Sequence, residues 1–101
     1  MIGKRSKENE VEKKENAVLT IVGKNDIGIL AKAATAVAEA KGSVVQVSQI
    51  VMDDFFTMNM LIDVSGLDCT IHQLEENIKA ELPHAEVHLM HENIFTSMHS
   101  I

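Results

Sequence analysis

Phe56, Met58, Met60, Ile62 and Val64 recur at every second position, with Phe55, Thr57, Asn59, Leu61 and Asp63 between them. A period of two puts the first set on one face of an extended strand and the second set on the other. Asp53-Asp54 marks a turn before this run, and Ser43 to Met52 (SVVQVSQIVM) ahead of the turn reads as its hairpin partner. A hairpin is marginal alone, so the rest of the chain must supply further strands and a covering layer.

The flanking segments supply both. Ala17 to Val22 (AVLTIV) is a short β-branched run suited to a central strand. From Ile27, the positions Leu30, Ala33, Ala34, Val37 and Ala38 follow helical spacing, with Asp26 as the expected N-cap and Gly42 as the expected left-handed stop. Ser65-Gly66 breaks the alternating strand. Thr70-x-x-Gln73 has the form of a capping box, and Ile71, Leu74, Ile78 and Leu82 continue as a helical stripe that Pro83 closes. Ala85 to Met90 reads as a fourth strand with Val87 and Leu89 inward. Ile94, Phe95, Met98 and Ile101 have the spacing of a short terminal helix.

The order β-α-β-β-α-β predicts an α+β fold of the ferredoxin-like class. It is a sandwich of a four-stranded antiparallel sheet with two helices on one face, plus a short C-terminal helix. The expected divisions are a charged tail at 1–16, a domain at 17–92 and a helical extension at 93–101. By alternation the sheet's other face carries Val18, Thr20, Val22, Val44, Gln46, Ser48, Phe55, Thr57, Leu61, His88 and Met90. That surface is too apolar for water alone, so a second subunit or the terminal helix should cover it. A homodimer or a larger homo-oligomer is expected.

Composition narrows the function. The 101 residues are 46% hydrophobic, with three Phe, no Tyr, no Trp and six Met, so the core must be aliphatic. A net charge of −6 argues against nucleic acid, and Lys4, Arg5, Lys7, Lys13 and Lys14 are offset by Glu8, Glu10, Glu12 and Glu15. Cys69 is the single cysteine, which excludes an internal disulfide and makes a reducing compartment the default. With no apolar run long enough for a membrane helix and no signal-peptide pattern, a cytoplasmic protein with no membrane partner is expected.

The junction Gly23-Lys24-Asn25-Asp26-Ile27-Gly28 is the most informative loop. A P-loop would close on GK[ST], whereas Gly28 is followed by Ile29-Leu30; a Rossmann turn would need GxGxxG. What remains is a helix start whose amides at Ile27, Gly28 and Ile29 attract a carboxylate, with Asn25 offering a donor and an acceptor. Asp26 would repel a carboxylate unless it faces an ammonium or caps the helix. A capped turn with no ligand explains the same residues, and both readings stand at this level.

Elsewhere no catalytic set converges. His84, Glu86 and His88 share one strand face, but steps of ~6–7 Å are too long for neat chelation. His91 and Glu92 do not complete the set. Cys69 precedes a helical stripe with no base beside it, and Asp53-Asp54 and Glu75-Glu76 read as turn and surface acids. No metal, cofactor or enzymatic activity is expected.

The element order, with "VGKNDIGIL" at the first strand–helix turn and "GSVVQVSQIVMDDFFTMNMLIDV" beyond it, resembles an ACT domain over residues 17 to about 92. More narrowly, "VGKNDIGIL", "SQIVMDDFFTM" and "IFTSMHSI" resemble a small family of stand-alone ACT-domain proteins. The resemblance implies a non-enzymatic regulatory module that binds a small molecule, usually an amino acid, at subunit interfaces. It implies ligand contacts from Asn25, Ile27, Gly28 and Ile29, with Asp26 in the same loop. A polar residue commonly follows the glycine after the first helix in a "GxN" pattern; this chain has Val44 there, and Gln46 and Ser48 are the expected substitutes. A protein–protein interaction module with no bound ligand is the alternative.

Overall fold

A computed structural model describes residues 15–24 and 28–98. The elements are β1 (Asn16–Lys24), α1 (Ile29–Glu39), β2 (Ser43–Met52), β3 (Phe55–Asp63), α2 (Ile71–Glu81), β4 (Glu86–His91) and α3 (Glu92–Met98). The expected tail falls outside the described residues, apart from Glu15 and Asn16, and so do residues 99–101 of the expected extension.

The four strands form one antiparallel sheet in the order β2-β3-β1-β4. Leu19, Ile21, Met58, Met60 and Ile62 lie fully buried on one face, against Val37 of α1 and Leu74 and Ile78 of α2. The alternation in β3 therefore marks the core face as expected. The ferredoxin-like βαββαβ architecture follows from that face needing two helices to cover it.

Helix α2 starts where the capping box places it. The Gln73 N–H donates to the Thr70 hydroxyl oxygen at 3.0 Å, and the Thr70 N–H donates to the Gln73 side-chain oxygen at 3.1 Å. Helix α1 departs from expectation at both ends. Its N-cap is Gly28 rather than Asp26, with φ of 82° and no side-chain cap bond, so the helix begins at Ile29 instead of Ile27. At the other end the left-handed residue is Lys41 (φ 70°), not Gly42. The Gly42 N–H reaches the Val37 carbonyl at 2.9 Å and the Lys41 N–H reaches the Ala38 carbonyl at 3.0 Å, a Schellman pairing one residue earlier than expected. Gly42 answers to space instead. A Cβ there would lie 3.0 Å from Val37 Cγ1 and 3.3 Å from the Val37 carbonyl oxygen.

Strand β2 carries the other correction. Val44 pairs with Ile62 and Gln46 with Leu61, leaving Val45 as a bulge. One extra residue moves Val44 from the open face, where alternation put it, to the helix-covered face beside buried Ile62. The remainder of the expected open face keeps its parity. Helix α3 makes its main contacts with β1 and β4, so among the described residues no helix covers the β2–β3 side of that face. Among the described residues no helix is long and apolar enough to cross a membrane.

Candidate functional site

Strand β1 runs on to Lys24, with Gly23 opposite Phe56 and Lys24 opposite Phe55, so the chain leaves β1 beside the start of β3. Asn25, Asp26 and Ile27 lie outside the described residues. Beyond them, the Gly28 carbonyl accepts the first helical bond, from the Lys32 N–H at 2.8 Å. The N–H groups of Ile29, Leu30 and Ala31 precede that bond and have no partner within the helix. They gather the positive end of the helix dipole at the loop.

A Cβ on Gly28 would meet nothing within 4 Å. The glycine is therefore required by its positive φ, and the space beside its α-carbon is open.

Beside this helix start is a cleft of about 450 Å³ lined by Gly28, Ile29, Leu30, Ala31, Ala34, Gln49 and Phe56. Gln49 pairs with Met58, whose side chain is fully buried on the helix-covered face. That pairing gives the cleft its polar side chain. Sequence reading missed Gln49, although alternation from Gln46 and Ser48 on the open face already puts it on the helix-covered face; that parity is the signal that could have found it.

Of the expected site residues, Gly28 and Ile29 line the cleft. Gln46 and Ser48 do not: they pair with Leu61 and Asn59 on the open face. A larger cleft of about 550 Å³ lies between α1 and α2. Its polar lining mixes Lys32 with Glu39, Asp68 and Glu81 around the free thiol of Cys69, and no uncapped helix start opens into it. Its size alone gives it no chemistry.

The ACT-domain family model matches residues 15–91, every strand and both sheet-covering helices. The chain belongs to the ACT-domain family. The ACT domain here is 36% identical over 87 residues to a UPF0237 protein of Listeria innocua, covering 84% of this chain and 98% of that one. An ACT domain protein from Streptococcus pneumoniae superposes with a TM-score of 0.67 at 26% identity, over 80% of this chain and 93% of that chain. The regulatory subunit of aspartate kinase from Thermus thermophilus shares the fold, with a TM-score of 0.58 at 21% identity, over 74% of this chain and 50% of that one.

Proposed function

We propose that this ACT domain is a non-enzymatic regulatory module that binds a small carboxylate-bearing molecule, an amino acid or a related acid, in the cleft between Gly28 and Gln49. The observation that carries the reading is a helix start without a side-chain cap opening onto an apolar cleft that holds one amide side chain. The carboxylate sits at the N–H groups of Ile29, Leu30 and Ala31, where the dipole and the orphan donors favour it. Asn25, Asp26 and Ile27 complete the head-group end, with Asp26 facing the ammonium of an amino acid. Gln49 supplies a donor and an acceptor from the sheet, and Phe56 with Ala34 surrounds the apolar body. Gln46 and Ser48 meet a ligand only across a subunit contact.

Association runs along the edge strand β2. All ten of its residues are exposed, and Val47, Val51, Ile50 and Met52 place apolar side chains on both sides of the strand. An edge of this length and polarity is a ready template for pairing. The aspartate kinase neighbour is named as a regulatory subunit, which fits a module whose output passes to a partner. The same edge favours a second reading, an interaction module that holds no ligand.

A thermal-shift screen with the common amino acids and simple 2-oxo acids separates the two. A ligand at 100 times its Kd adds about 2.7 kcal/mol of stability. Wild-type stabilisation by one of these compounds, reduced in Gly28→Val, supports the sensing module. Unchanged melting across the panel leaves the interaction module.

A further inference from the structure

We propose that His72, Glu75 and Glu76 form a site for a divalent cation of the zinc or cobalt class on the first turns of α2, away from the cleft at Gly28. One ligand atom from each side chain lies within 4.8 Å of the other two, and His72 Nδ1 stands 3.8 Å from Glu75 Oε1. Zinc bonds to imidazole nitrogen and carboxylate oxygen are about 2.1 Å, so two donors on one tetrahedral ion stand ~3.4 Å apart. The His72–Glu75 separation exceeds that by a few tenths of an ångström, which a small turn of the exposed His72 side chain closes. Glu76 is exposed, with room for its side chain to swing in and join them.

Spacing of i, i+3 and i+4 puts all three on one helical face. Glu75 is also held from outside the group. Its Oε2 accepts the Leu89 N–H of β4 at 3.0 Å, and its side chain is only 17% exposed. That bond orients the carboxylate and turns Oε1 toward His72, the function that outer partners serve at metal centres. One imidazole with two carboxylates suits zinc, cobalt or nickel better than calcium or magnesium, which take oxygen donors throughout.

Lys79 is the competitor, with Nζ 3.7 Å from Glu76 Oε2. An exposed pair of this kind is weak and yields to a cation bound by three groups. The other histidine–carboxylate contact, His88 Nε2 to Glu86 Oε1 at 3.4 Å, has no third ligand among the described residues.

Zinc titration of the chelator-treated full chain by calorimetry, repeated with cobalt and followed by visible absorption, tests the site. Expected are one ion per chain at sub-millimolar zinc, and weakening by at least about tenfold in both His72→Ala and Glu75→Gln. Lys79→Ala should bind several-fold tighter, a gain that a merely structural role for these residues does not produce. His72 is exposed, so its variant keeps the fold, and circular dichroism checks this. Absence of saturable binding overturns the proposal, as does a His72→Ala variant that binds like the wild type.

Discussion

Gln49 stands opposite Met58 across the β2–β3 ladder, on the side of the sheet that the helices cover. Met58 is sealed in the core, whereas Gln49, on the edge strand β2, is exposed and borders the cleft at Gly28. Gln49→Ala should therefore leave stability within about 0.5 kcal/mol, as for an exposed surface residue. Loss of its hydrogen bond should cost about 1 kcal/mol of ligand affinity, roughly fivefold. Chemical denaturation and calorimetry with a compound from the thermal-shift panel read the two effects separately.

Gly28 divides a backbone effect from a ligand effect. An alanine there meets no atom within 4 Å but must keep φ near 82°. Gly28→Ala should lose about 1–2 kcal/mol of stability from that conformation alone. Gly28→Asn should lose less, because Asn tolerates the left-handed region. Urea denaturation of both variants gives the comparison, and equal losses would place the cost in packing instead.

At the far end of α1, two neighbouring substitutions should act in opposite directions. Lys41 holds φ at 70° with a side chain, so Lys41→Gly relieves strain and should stabilise by up to ~1 kcal/mol. Gly42→Ala pushes a methyl to 3.0 Å from Val37 Cγ1 and should destabilise by about 1–3 kcal/mol. Thermal unfolding of the pair distinguishes this arrangement from one in which Gly42 is the left-handed residue, where Lys41→Gly would weaken the helix.

The β2 edge makes its own forecast. Val51 is 52% exposed and pairs with Phe56, so a lysine there leaves the core intact while placing a charge along the strand edge. Val51→Lys should raise the dissociation constant of any dimer at least about tenfold, the usual effect of charge on an edge that pairs. Sedimentation velocity across micromolar concentrations checks it. Unchanged association would move the contact to the open face around Phe55.

Much of this architecture can be read directly from residues. The β3 alternation names its buried face, and Thr70 and Gln73 locate the start of α2 to the residue, because a capping box is a local pairing that depends on little else. The misread features all depend on choices made elsewhere in the fold. Val44 changed sides because a bulge is settled by register against β3, and SVVQVSQIVM has apolar residues on both parities. Gly42 looked like a helix stop, yet it is the crowding from Val37 that requires a glycine there, so the left-handed turn falls on Lys41. Gly28 announced a ligand loop, but Gln49, which borders the same cleft from β2, was passed over because Gln46 and Ser48 on the opposite parity were expected in its place.

The binding reading is tested most directly by ¹⁵N-resolved NMR of the full chain during titration with the amino-acid panel. The amides of Ile29, Leu30 and Ala31 and the side-chain amide of Gln49 should shift together and saturate with one compound, while Asp68, Cys69 and Asn77 in the larger cleft stay in place. Saturating shifts confined to Asp68, Cys69 and Asn77, or none at any amide at millimolar concentration, would contradict a ligand site between Gly28 and Gln49.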